Sequence, residues 1–208
     1  MILDTIYQYV IDGEAEEVQN NVQKALDEGH PADEILNKAL IAAMDEVGRR
    51  YEQGDFFVPE MLVAARAMQS GLHILRPHLV KGGIKSAGKI AIGTVKGDLH
   101  DIGKNLVAMM LEGAGFEVHD LGTDVDPQKF VQMAKDGAQV IGLSALLTTT
   151  MNNMSVTIEA LKQAGLRDQV KIIIGGAPVT PEFAKKIGAD GFAPDASTAT
   201  RVVRELLA

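Results

Sequence analysis

Cysteine is absent from all 208 residues. That excludes disulfides, cysteine-ligated zinc, iron–sulfur clusters and a thiol nucleophile. A surplus of positive charge is missing too: 20 Lys and Arg against 28 Asp and Glu leave a net charge of -8. Without spare cations to neutralise phosphates, general nucleic-acid binding is disfavoured, and no basic helix-turn-helix segment stands out. No apolar run approaches the length of a membrane span. The opening residues, MILDTIYQYVIDGEAEE, carry an acid at position 4 and no basic stretch of the kind that begins a secretory signal. A cytoplasmic protein is therefore expected. Solenoid repeats and low-complexity tracts are also lacking. What remains is a chain with 46% hydrophobic residues, long enough for one or two domains with real cores.

The stretch KGGIKSAG, residues 81–88, separates two periodicities and reads as a linker. Before it the pattern is helical, over 2–11, 14–28 (ended by Gly29), 31–53 (with Pro31 in its first turn) and 58–78. In the third segment Ile35, Ala39, Ala43, Val47 and Tyr51 recur every four residues; in the fourth Met61, Ala65, Met68, Leu72 and Leu75 share a face. Four amphipathic helices with short links predict a bundle over residues 1–80. After the linker, apolar runs at 89–95, 117–121, 139–144, 170–174 and near 191–192 alternate with helical stretches at 102–115, 127–136, 152–164, 181–187 and 197–207. Five βα units predict an α/β domain over 89–208, an open parallel sheet covered on both faces. Ligands of such sheets sit beyond the carboxyl ends of the strands, where the strand order switches.

Three segments that follow strands carry chemistry. The first is Gly97-Asp98-Leu99-His100-Asp101-Ile102-Gly103-Lys104-Asn105, the second Gly142-Leu143-Ser144-Ala145-Leu146-Leu147-Thr148-Thr149-Thr150, the third Gly175-Gly176-Ala177-Pro178. His100 lies between Asp98 and Asp101. A carboxylate on one ring nitrogen fixes the tautomer and raises the basicity of the other. That suits a metal ligand, a divalent-metal set of Asp98, His100 and Asp101, or a general base; a solvated loop histidine fits the same residues. Gly103, Gly175 and Gly176 either admit another body close to the backbone or are ordinary turn glycines. Neither G-x-G-x-x-G nor the P-loop pattern is present. Ser144, Thr148, Thr149 and Thr150 offer hydroxyls that both donate and accept, and Thr150 serves equally as a cap for the helix beginning near residue 152.

Asp98-x-His100-x-x-Gly103, then Ser144-x-Leu146, then Gly175-Gly176, resembles the signature of cobalamin-binding domains. The run GDLHDIGKN is similar to that of cobalamin-dependent methionine synthase and of corrinoid proteins in anaerobic methyltransferase systems, and the resemblance covers nearly the whole chain. It implies a flavodoxin-like five-stranded domain preceded by a four-helix bundle cap. It also implies bound cobalamin or a related corrinoid, base-off and His-on, cycling between methylcob(III)alamin and cob(I)alamin. By the resemblance, His100 is the axial ligand of cobalt, and Asp98 with Thr150 (serine in methionine synthase) forms the relay behind it. Ser144 and Leu146 then contact the displaced base, Gly103, Gly175 and Gly176 leave room for the nucleotide tail, and Asp101 and Thr148 complete the cofactor-binding set. Residues 51–61 resemble the segment that caps the upper corrinoid face, with Tyr51, Val58 and Met61 at the matching positions; ordinary bundle core is the other reading of these three. The implied function is a methyl carrier that is not catalytic alone. It accepts a methyl group on cobalt from a substrate-specific methyltransferase and presents it to a second methyltransferase with a tetrahydrofolate or thiol acceptor, and a reductive activase serves as a further partner. Length agrees, since a donor-binding barrel alone needs about 250 residues. The alternative is the small cobalamin-binding subunit of an adenosylcobalamin-dependent mutase, for which a dedicated cap is unexpected.

Overall fold

The computed structural model describes residues 1–83 and 86–208. Ile84 and Lys85, within the expected 81–88 linker, lie outside the described residues. The chain divides into two compact units, Met1–Ala87 with Glu112–Gly115, and Gly88–Leu111 with Phe116–Ala208. No helix among the described residues is long and apolar enough to cross a membrane.

The first unit is helical. Helix α1 (Ile2–Asp12) stops where Gly13 turns left-handed at φ 77° and its N–H bonds back to Val10. Helix α2 (Ala15–Asp27) is followed by Gly29, also at positive φ. The expected helix over 31–53 is interrupted: α3 (Ala32–Ile35) runs into a π-helical stretch, Leu36–Ile41, and then α4 (Ala42–Glu52). The sequence contains the reason. Apolar residues spaced every four drift round a helix of 3.6 residues per turn. A stretch with i→i+5 bonds takes more residues per turn and brings them back into line. Ile35, Ala39, Ala43 and Val47 are accordingly all buried. Helix α5 (Val58–Lys81) begins with Glu60 accepting the Phe57 N–H at 3.0 Å and continues through Pro77, three residues beyond the expected end. At Gly71 a Cβ would lie 2.8 Å from Val18 Cγ1, so glycine lets α5 and α2 approach closely.

The second unit is a parallel sheet of β1 (Lys89–Thr94), β2 (Glu117–Asp120), β3 (Val140–Ser144), β4 (Lys171–Gly175) and β5 (Gly191–Ala193), in the order β2-β1-β3-β4-β5. Its helices are α6 (Ile102–Gly113), α7 (Pro127–Lys135), α8 (Asn152–Gln163), α9 (Pro181–Ile187) and α10 (Ala196–Leu207). The interior strands β1, β3 and β4 are almost wholly buried, as near-continuous apolar runs require. The edge strand β2, Glu-Val-His-Asp, is polar and partly exposed. Side chains of Asp126, Thr180 and Asp195 cap α7, α9 and α10. This is the flavodoxin-like strand order, and its switch point lies between β1 and β3.

Candidate functional site

The loops after β1 and β3 meet at that switch point, and Asp98 joins them. Its side chain is fully buried. One oxygen, Oδ1, accepts the His100 ring Nδ1 at 2.7 Å and the His100 backbone N–H at 3.1 Å. The other, Oδ2, accepts the Thr150 hydroxyl at 2.6 Å and the backbone N–H groups of Leu146 at 2.8 Å and Leu147 at 3.3 Å. Burial by itself pushes the Asp98 carboxyl up. The hydrogen bonds from Thr150, from the His100 ring and backbone and from Leu146 more than offset it and hold the group well below the usual carboxylate range. An ionised carboxylate only accepts, so His100 Nδ1 carries a proton and donates it to Asp98, which turns Nε2 away from the carboxylate. Half of the His100 side chain is exposed.

The expected residues fall into two groups around this pair. Thr150 is buried with its hydroxyl on Asp98, not on the N–H groups of α8, so the capping reading gives way to the relay geometry. Leu146 contributes its backbone N–H to Asp98 and leaves its side chain exposed, as does Leu147. Ser144 ends β3 half-buried, its carbonyl accepting the Val95 N–H. Thr148 is exposed. The Asp101 carboxylate accepts from Asn105 Nδ2 at 3.1 Å, and no group of three or more His, Asp or Glu among the described residues is placed to hold a metal ion. The proposed divalent-metal set therefore does not form. Space beside Gly103 is open, with nothing within 4 Å of a Cβ placed there. The two later glycines differ: a Cβ on Gly176 would lie 1.9 Å from the Ala145 carbonyl oxygen, and one on Gly175 2.7 Å from that of Ala193. The sheet itself requires them. Leu99 and Ile102, either side of His100 in sequence, are 73% and 83% exposed. Together with Leu146 and Leu147 they make the loops around the imidazole apolar and open to solvent.

Sequence reasoning passed over four residues that hold this geometry. Buried Thr94 donates its hydroxyl to the His100 carbonyl at 2.9 Å. Asn153 Nδ2 bonds the Lys96 carbonyl at 2.6 Å. Asp124 bonds both Gly97 and Asp98. Lys104, buried in α6, pairs with Asp120 and donates to Asn105. Only Lys104 left a sequence signal, a lysine within an apolar helix.

In the helical unit, the turn before α5 is built by Arg50, which bonds Glu46 and stacks 5.2 Å from the Phe56 ring centroid. That turn leaves Phe57 and Val58 exposed and Tyr51 half-buried. Met61 is fully buried, so core packing accounts for it.

A half-exposed imidazole backed by a buried carboxylate, among exposed leucines at a flavodoxin switch point, defines a class of protein. It is an α/β protein whose switch-point loops present one imidazole and several apolar side chains to solvent. Residues 88–203 match the B12 binding domain family, and residues 2–76 match a second B12 binding domain family. The chain belongs to these B12-binding corrinoid proteins, as the motif resemblance implied. It is 46% identical over 207 residues to dimethylamine corrinoid protein 3 of Methanosarcina acetivorans, covering 99% of this chain and 97% of the relative. It is 45% identical over 201 residues to trimethylamine corrinoid protein 1 of the same organism, covering 95% and 93%. Among solved structures it resembles a cobalamin-binding protein from Desulfitobacterium hafniense (TM-score 0.80, 33% identity, 98% of both chains). It also resembles the methanol:cobalamin methyltransferase complex MtaBC from Methanosarcina barkeri (TM-score 0.88, 26% identity, 99% of this chain and 79% of that one). The residues present fit a corrinoid: the site has one nitrogen donor, apolar side chains beside it and open space at Gly103.

Proposed function

We propose that the chain is a methyl carrier. It holds a corrinoid base-off and His-on, accepts a methyl group from a substrate-specific methyltransferase and presents it to an acceptor methyltransferase. The observation that carries this reading is the Asp98–His100 pair, a half-exposed ring held through Nδ1 by a buried carboxylate among exposed apolar side chains. When bound, the corrinoid would supply a cobalt able to take up and give up methyl groups, chemistry carried by the cofactor. The protein's residues do the rest. His100 would hold the cobalt through Nε2. Asp98 fixes the tautomer from Nδ1, and Thr150 fixes Asp98. Leu99, Ile102, Leu146 and Leu147 cover apolar cofactor surface. Gly103, Ser144, Asp101 and Thr148 receive the displaced base and nucleotide tail, with Gly175 and Gly176 shaping the adjacent chain. Residues 1–80 serve as a cap, in which Tyr51, Val58 and the neighbouring Phe57 keep water from the methyl group; residues 81–88 link it to the corrinoid domain, 89–208.

Relatives named for dimethylamine and trimethylamine support a methylated amine as the donor. The acceptor enzyme uses tetrahydrofolate or a thiol, and a reductive activase restores the carrier after oxidation. The test is to load the protein with corrinoid, reduce it and add amine-specific methyltransferases with their substrates. Methylation of the carrier, read from its absorption spectrum, is the expected result. No methylation by amine-, methanol- or methoxyarene-specific enzymes, with a tightly held adenosyl form instead, would sink the reading.

A further inference from the structure

Asp98 is held from two sides, and the motif accounts for only one. Its carboxylate is anchored on the β3 side by Leu146, Leu147 and Thr150. Its backbone carbonyl is anchored on the β2 side, where it accepts the Asp124 N–H at 2.9 Å. Asp124 also reaches back with its side chain: Oδ1 accepts the Gly97 N–H at 2.8 Å. Among the described residues Asp124 is the only non-glycine at positive φ, 51°, a conformation Asp and Asn tolerate better than other side chains. The chain around it is tied down as well. Thr94 N–H donates to the Gly122 carbonyl and Val125 N–H to the Thr94 carbonyl, both at 3.0 Å, so residues 122–125 prolong the β1–β2 ladder beyond both strands. Lys96 Nζ stands 3.7 Å from Oδ1, an exposed pair that adds little.

Gly97 is the freest point of the loop, a glycine at φ 82° with no side chain to restrain it. Without the Asp124 side chain the loop keeps the Asp98 carboxylate bonds, the Asp98 N–H on the Val95 carbonyl at 3.1 Å and the Asp124 N–H on the Asp98 carbonyl, but the Gly97 N–H is released and the backbone can rotate there. The His100 backbone then shifts while Oδ1 stays with the anchored carboxylate, which draws the His100 N–H and ring Nδ1 away from Oδ1. We propose that Asp124 is a positioning residue for His100. By gripping Gly97 and Asp98 from the β2 side it fixes the loop that carries the imidazole, so that Nε2 is presented in one tautomer and one direction. The cofactor part of this inference rests on His100 being the cobalt ligand; the loop part does not.

The experiment uses the full chain and two variants. Asp124→Asn keeps the side-chain oxygen and the tolerance of positive φ. Asp124→Gly keeps the backbone conformation and its N–H but removes the grip on Gly97. In cofactor-free protein labelled with 15N-histidine, at a pH where the ring is neutral, His100 (assigned by its loss in His100→Gln) should show the Nδ1–H tautomer alone in the wild type and in D124N, and averaged tautomers in D124G. With corrinoid bound and cobalt(II) generated, the nitrogen splitting of the axial ligand should persist in D124N, and the fraction off cobalt should rise about tenfold in D124G. Amide exchange in the wild type gives a check that needs no variant: the Gly97 N–H should be protected. Unchanged His100 signals and splitting in D124G, or fast exchange at Gly97, would overturn the proposal. A wild type without nitrogen splitting, but with the tautomer difference intact, would overturn the ligand reading and leave the positioning role standing.

Discussion

At the scale of single residues, Asp98 makes stability depend on pH in a known direction. Five donors surround a buried carboxylate whose folded-state pKa lies below its unfolded value. The unfolded chain then binds the proton more readily than the folded one. The stabilisation is complete above about pH 4 and is lost as pH falls through the folded-state value. Asp98→Asn has no such proton to take up. We expect the difference in urea midpoint between wild type and D98N to be constant from neutral pH to about 4 and to shrink below it. A constant difference down to the acid limit would mean that the carboxylate is not ionised in the folded protein. Thr94 supports the same loop through the His100 carbonyl. Thr94→Val keeps its shape and removes one hydrogen bond, so a loss of about 1 kcal/mol is expected by denaturant titration. Nitrogen ligation of cobalt(II) should weaken at the same time; a loss of stability alone would confine Thr94 to packing.

At the scale of elements, the interior of the sheet was legible and its margins were not. Strands β1, β3 and β4 are apolar runs bounded by glycine and helical stretches, and each was read to within a residue or two. Their alternation with helices marks the parallel class, and the spacing in the loop after the first strand marks Asp98 and His100 as a pair. The π stretch Leu36–Ile41 was not foreseen, although its cause, a period of four, was visible. Thr94 and Asp124 were illegible because their value lies in bonds to residues 6 and 27 positions away, with no local pattern to mark them. The glycines divide in the same way, into what the fold needs and what a ligand needs. Gly176→Ala drives a Cβ into the Ala145 carbonyl at a φ of 132° and should cost more than about 2 kcal/mol. Gly103→Ala meets nothing within 4 Å, lies in the first turn of α6 and should stabilise by up to about 1 kcal/mol. If Gly103 leaves room for the cofactor, that stabilised variant should nevertheless bind corrinoid more weakly in a spectroscopic titration. Equal affinity would make Gly103 an ordinary helix glycine.

At the scale of the whole molecule the chain forms two compact units, and the proposal that the helical one shields a methyl group can be tested because its side chains separate shielding from packing. Tyr51, Val58 and Met61 matched the cap segment together, but their burial separates them. Met61 has no exposed surface, whereas Val58 and its neighbour Phe57 are exposed at the turn that Arg50 and Phe56 build. Truncating a buried methionine leaves a cavity, so Met61→Ala should lower the stability of the helical unit by about 2–5 kcal/mol. Truncating exposed apolar groups costs little, because their surface is already in water. A shield for a methyl group must present apolar surface outside its own core, which Phe57 and Val58 do and Met61 does not. We therefore expect Phe57→Ser and Val58→Ala proteins to melt as the wild type does and to bind corrinoid equally well. They should, however, lose the methyl group faster under illumination, because water and light-driven escape are no longer opposed. Met61→Ala should show the reverse pattern: a lower melting temperature and, wherever the protein remains folded, an unchanged photolysis rate. Equal photolysis in wild type, F57S and V58A would remove the shielding role from the helical unit and leave its exposed turn to be explained as a docking face for the methyltransferases.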